Sequence, residues 1–150
     1  MSLFPDTSFL CSLYRRQIHS PKAIRFMESI GGPLSVSGLL LFEFRQSIRF
    51  QMRLFSLDRK KGFSATEGER MLRDLESDLN DGVLKVTTVD WPDVHRIAEN
   101  LSRGHTRERG HRFADLLHVA TALHLGAEQF LTFDENQKIL AEAEGMKVPV

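Results

Sequence analysis

Short apolar runs alternate with longer stretches of helical periodicity along this chain. Residues 2–5, 33–37, 83–87, 129–133 and 146–150 are compact, mostly apolar segments that predict strands. Between them lie helical patterns. One covers residues 7–16, and the next starts at Ser20-Pro21, with serine as cap and proline in the first turn, and stops before Gly31-Gly32. The longest predicted helix, residues 38–57, carries Leu41, Phe44, Ile48, Met52 and Phe55 on one face. Lys61-Gly62-Phe63 breaks it, and Ser64-x-x-Glu67 has the form of a capping box for the following helix. Asp90-Trp91-Pro92 opens a further helix that fades near Gly104. Residues 112–125 form another, ending at Gly126, and a last one runs from Asp134 to Gly145. Strands alternating with helices predict an α/β fold, a parallel sheet flanked by helices, with right-handed crossovers giving a doubly wound arrangement. The connections are short, so one domain covering residues 1–150 is expected.

Composition narrows the class. A chain of 150 residues with 41% hydrophobic and 27% charged side chains has enough apolar material for a core and is not of disordered type. No apolar run approaches the roughly 20 residues needed to span a bilayer, and the first residues lack the pattern of a secretory signal. Cys11 is the only cysteine, which removes an internal disulfide framework and any multi-cysteine zinc site and fits a reducing cytosol. Twenty basic and twenty acidic side chains give zero net charge, which disfavours a protein that coats nucleic acid by bulk charge. Basic residues are nonetheless concentrated between Arg103 and Arg112 and at Arg59-Lys60-Lys61.

In a parallel sheet, ligands bind beyond the carboxyl ends of the strands. Asp6 follows the first predicted strand, Asp134 follows the fourth, Asp115 lies near the start of a helix, and Glu43 lies within one. Each has an ordinary alternative. Asp6 and Asp134 suit helix N-caps, the latter with Gln137 at the third helical position. Glu43, between Phe42 and Phe44, could pair with an arginine. Asp115 could stabilise a helix first turn, or pair with Arg112. Yet Asp115 shares a face with Val119 and Ala122, and a carboxylate beside apolar neighbours needs a partner or a metal. Hard divalent cations take oxygen ligands of this kind, and such ions activate water and neutralise charge at a phosphodiester. His118, three residues after Asp115, reads first as a histidine hydrogen-bonded at a packing edge and second as a neighbour of the site.

The segments Phe4-Pro5-Asp6-Thr7-Ser8, Glu43 in an early helix, Asp115-Leu116-Leu117-His118-Val119-Ala120-Thr121-Ala122, and Leu131-Thr132-Phe133-Asp134 resemble the PIN domain. Size and helical insertions are most similar to the VapC toxins of toxin–antitoxin pairs. The resemblance implies a parallel sheet flanked by helices and a metal-dependent endoribonuclease using Mg²⁺ or Mn²⁺. It implies Asp6, Glu43, Asp115 and Asp134 as the acidic catalytic and metal-holding set, supported by Thr7, Ser8 and Thr132. It also implies an RNA substrate, a small antitoxin partner, a homodimer and a cytoplasmic location.

The run leading into Asp115 places Arg103, Arg107, Arg109 and Arg112 as candidate RNA phosphate contacts, with a solvated loop as the alternative. Arg45, Arg49 and Arg53 form a stripe turned largely away from Glu43, read as a solvated face or an acidic-partner contact. A haloacid dehalogenase-type phosphatase would want a second aspartate where Ser8 stands. A receiver domain would want a lysine that Thr132-Phe133-Asp134 does not offer. A catalytically weak PIN-like module that binds RNA or protein, and an RNA-processing nuclease outside a toxin–antitoxin pair, remain as alternative functions.

Overall fold

A computed structural model describes residues 2–150. In chain order the elements are β1 (Leu3–Pro5), α1 (Thr7–Tyr14), α2 (Ser20–Ile30), β2 (Leu34–Val36), α3 (Gly38–Leu57), α4 (Ala65–Asn80), β3 (Leu84–Val86), α5 (Trp91–Leu101), a wide π-helical turn (Ser102–Thr106), the short α6 (Arg107–Arg109), α7 (Phe113–His124), β4 (Gln129–Leu131) and α8 (Glu135–Ala143). The strands form two parallel pairs. β1 pairs with β4, Phe4 opposite Phe130, and β2 pairs with β3, Ser35 opposite Lys85. β1 lies alongside β2, so the spatial order is β3, β2, β1, β4. Each strand is short, and the hydrogen-bonded ladders do not extend between β1 and β2.

Local chemistry explains the element ends. Ser37 Oγ accepts the Leu40 N–H at 3.1 Å and starts α3. Ser64 Oγ accepts the Glu67 N–H at 3.2 Å and starts α4, but the Glu67 carboxylate turns to Arg70 at 2.6 Å, so only half of the capping box forms. The turn between α3 and α4 passes tightly over α3. Gly62 sits at φ +61° with the Gln51 carbonyl so close that a Cβ would fall 2.0 Å from it, so no other residue fits.

The core runs between the sheet and both helical layers. Phe4, Phe9, Phe44, Phe130, Leu10, Leu34, Leu40 and Ile48 are fully enclosed. From the predicted apolar face of α3, Leu41, Phe44 and Ile48 are buried, with Leu40 added and with Met52 and Phe55 only half-buried. Two predictions are corrected. Residues 146–150 form no strand; only an isolated bridge from Lys147 to Gln129 remains. Pro149 has no amide hydrogen to extend a ladder, although the side chains before it alternate in exposure as those of a strand would. The helix from Asp90 does not fade at Gly104 but continues through the π-helical turn to Arg109 and stops at Gly110, φ +67°.

Candidate active site

The carboxyl ends of β1 and β4 bring the starts of α1 and α8 together, and α3 and α7 flank them. Between these elements lies a cleft of about 550 Å³ lined by Thr7, Ser8, Glu43, Arg112, Phe113, Asp115, Asp134 and Gln137, among others. Three of the four predicted acids therefore face one cleft, and the fourth, Asp6, is wholly buried beneath it.

Asp6 forms the floor. Its Oδ1 accepts the Ser8 hydroxyl at 2.7 Å and the Phe9 N–H at 3.0 Å, which caps α1. Its Oδ2 accepts the Thr132 hydroxyl at 2.5 Å and the Gln137 side-chain amide at 2.7 Å. Both oxygens thus have two donors, which fills a carboxylate's usual capacity. Burial nevertheless outweighs those donors and pushes the Asp6 carboxyl up to about 6. Asp134 caps α8, accepting the Gln137 N–H at 3.0 Å. Its own N–H donates to Thr132 Oγ1 at 3.0 Å, so one hydroxyl links Asp6 and Asp134.

Glu43 is held from both sides. The Thr7 hydroxyl donates to Oε1, and His118 Nε2 stands 3.0 Å from the same oxygen. Chiefly through the His118 bond, the Glu43 carboxyl lies below the usual range. Among the described residues no arginine is bonded to Glu43: Arg45 pairs with Glu76 on α4 at 3.3 Å, and Arg112 acts on Glu43 only as a nearby charge. Asp115 is half-buried, and its carboxyl is raised, first by burial; Arg112 opposes that rise, while the charges of Asp134 and Glu43 add to it. Arg112 Nε approaches Asp115 Oδ2 at 3.4 Å from a largely exposed position.

Of the four candidate phosphate-binding arginines, only Arg112 lines the cleft. Arg103 is 4.0 Å from Glu99, and Arg109 reaches Asn136 at 3.4 Å. The π-helical turn and α6 carry Arg103, Arg107 and Arg109 along one continuous helical path, which is why the run does not converge on the acids.

Two residues of the site stand otherwise than their first reading placed them, although for His118 a place beside the site was the second reading. Gln137 fits a capping box in sequence, but its side chain does not return to the Asp134 N–H; it bonds Asp6, and its Oε1 is buried without a partner among the described residues. His118 is fully buried rather than at an edge, and bonds Glu43. Its helical spacing from Asp115 was the available signal.

The donor set suits a hard divalent cation. Among the described residues the cleft is lined by three carboxylates, two of which add their charge to the rise that burial imposes on Asp115, and by one exposed arginine that opposes it. Spacing is less favourable: among the described residues, no three His, Cys, Asp or Glu side chains stand close enough to form a ligand cage as they are. Asp6 in particular would have to give up a donor to reach an ion.

Fold and cleft together define an α/β domain with an acidic cleft at the carboxyl ends of parallel strands. The chain belongs to the PIN domain family, whose model matches residues 3–143. No curated protein matches it. Several solved structures share the fold. VapC20 of Mycobacterium tuberculosis, a sarcin-ricin loop cleaving toxin, is 23% identical with a TM-score of 0.65, over 97% of this chain and 96% of that one. VapBC2 of Rickettsia felis, bound to a DNA fragment from its promoter, is 13% identical with a TM-score of 0.67, over 99% and 97%. FitAcB of Neisseria gonorrhoeae is 16% identical with a TM-score of 0.65, over 97% and 95%. No described helix is long and apolar enough to cross a membrane.

Proposed function

We propose that this chain is a divalent-metal-dependent endoribonuclease and the toxin of a toxin–antitoxin pair. The observation that carries the reading is the convergence of Glu43, Asp115 and Asp134 on one cleft above Asp6, in a PIN domain. Glu43, Asp115 and Asp134 would hold Mg²⁺ or Mn²⁺, with Asp6 either joining them or fixing the floor. When bound, the ion supplies water activation and neutralisation of charge at the phosphodiester. Thr7 orients Glu43, while Ser8 and Thr132 hold Asp6. Arg112, at the mouth, would take an RNA phosphate in exchange for its weak contact with Asp115.

The likeness to VapBC2 supports a small antitoxin partner. Phe42, Phe50 and Leu57 stand exposed on α3 and support a protein contact there, by an antitoxin or by a second copy. A second reading, an RNA- or protein-binding module without cleavage, is favoured by the donor-saturated Asp6 and the absence of a ready ligand cage among the described residues.

The test is RNA cleavage by the purified chain with Mg²⁺, Mn²⁺ or EDTA, beside the Asp115→Ala variant. Metal-stimulated cleavage that EDTA and Asp115→Ala both remove is expected. RNA binding without cleavage under every condition would favour the module instead. Cleavage indifferent to EDTA would refute the metal.

A further inference from the structure

His118 sits in the middle of α7 and is wholly buried. Enclosing an imidazole there is unfavourable unless its nitrogens are satisfied. Nδ1 is buried and has no partner among the described residues. The 3.0 Å contact from Nε2 to Glu43 Oε1 is therefore the ring's one polar bond. A carboxylate only accepts, so Nε2 carries the hydrogen in that bond. With Nε2 engaged and Nδ1 enclosed, neither ring nitrogen is free to ligate an ion in the cleft. An apolar side chain would satisfy the packing of α7 better, so stability alone does not account for a histidine.

The partner oxygen is equally specific. The Thr7 hydroxyl from α1 and the ring from α7 meet on the same atom of Glu43, Oε1. Among the described residues Oε2 has no hydrogen-bond partner, and Glu43 lines the cleft. Two elements that bracket α3 thus fix one oxygen and spare the other.

We propose that His118 is a positioning residue for Glu43: together with Thr7 it anchors Oε1, so that Oε2 is presented to a divalent cation. This inference rests on the metal reading given above. Contacts that orient a ligand from behind commonly alter metal affinity by about 10–100-fold.

Calorimetric titration of the full chain with Mn²⁺, paired with thermal unfolding, tests it. His118→Leu is expected to unfold at the wild-type temperature or above and to bind Mn²⁺ about 10-fold or more weakly. His118→Gln, which can place an N–H near the position of Nε2, is expected to bind close to wild type. Wild-type affinity in His118→Leu would overturn the inference. So would a folded His118→Gln that binds as poorly as a Glu43→Gln control, or a His118→Leu chain that fails to fold beside such a His118→Gln. A wild-type chain that takes up no Mn²⁺ would instead remove the metal reading itself, and the inference with it.

Discussion

The floor and the mouth of the cleft hold carboxylates of the same kind in opposite circumstances. At the floor, Asp6 is enclosed and receives four donors from α1, α8 and the end of β4. At the mouth, Asp115 has one long contact, from an exposed arginine. Both carboxyls are raised, and burial leads in each case, but at Asp115 the neighbouring charges of Asp134 and Glu43 contribute as well. Asp6 is thus a joint of the architecture whatever else it does, whereas Asp115 has acceptor capacity to spare. Removing Asp6 tests the fold and the chemistry together; removing Asp115 tests the chemistry.

The largest effect is expected at the mouth. Asp115→Ala should reduce RNA cleavage by at least about 100-fold, the scale of losing one group that stabilises charge in a transition state, with unfolding little changed. Cleavage kinetics beside a urea curve check it; activity within a few-fold of wild type would remove Asp115 from the site. Asp6→Ala offers no such clarity, because it leaves four donors without an acceptor.

Asp6→Asn addresses the floor directly. The Asp6 carboxyl moves from 3.8 unfolded to about 6 folded. Between those values the folded chain binds more protons than the unfolded chain at this site, so stability falls as pH rises through the window. Below about 4 the penalty is absent, and above about 6 it is complete, on the order of 3 kcal/mol. Asparagine carries no charge, and the unpartnered Gln137 Oε1 can turn to accept its amide. Asp6→Asn should therefore be more stable than wild type at pH 8 and lose that advantage by pH 4. Urea midpoints at the two pH values decide it, and an equal gap at both would show that Asp6 ionisation does not govern the floor.

How much of this was legible in the sequence follows the same division. Periodicity located α3 from Gly38 to Leu57, because its apolar face repeats over many turns. Caps at Asp6 and Asp134 were legible as short-range chemistry, and so was the Arg112 contact with Asp115. The lattice of bonds at the floor was not. Gln137 reaching Asp6, and His118 reaching Glu43, join residues distant in the chain, and helical spacing says which face a side chain occupies but not what meets it. The π-helical turn was hidden as well, since nothing in Ser102–Thr106 but Gly104 distinguishes a widened turn from a helix end.

A smaller effect is expected one bond away from Asp6. Thr132→Val preserves shape but removes the donor to Asp6 Oδ2 and the acceptor of the Asp134 N–H. The loss should be about 2 kcal/mol at pH 8, the usual scale for a bond to a charged group, and smaller at pH 4, where Asp6 is protonated. A pH-independent loss would mean that the hydroxyl serves Asp134 more than Asp6.

The smallest effect belongs to the mouth again, and it separates RNA binding from architecture. Arg112 is 83% exposed, and its 3.4 Å contact with Asp115 is open to solvent. Such pairs contribute little to folding, so Arg112→Ala should shift stability by no more than about 0.5 kcal/mol. If the guanidinium leaves Asp115 for a phosphate, the variant should bind single-stranded RNA a few-fold more weakly. The slope of log affinity against log salt should also fall by about 0.7, the release expected for one phosphate contact on a single strand. Filter binding in EDTA, across a salt series, measures this without cleavage. An unchanged slope would confine Arg112 to screening Asp115, and the mouth would then hold its acids for an ion without a nearby grip on the RNA backbone.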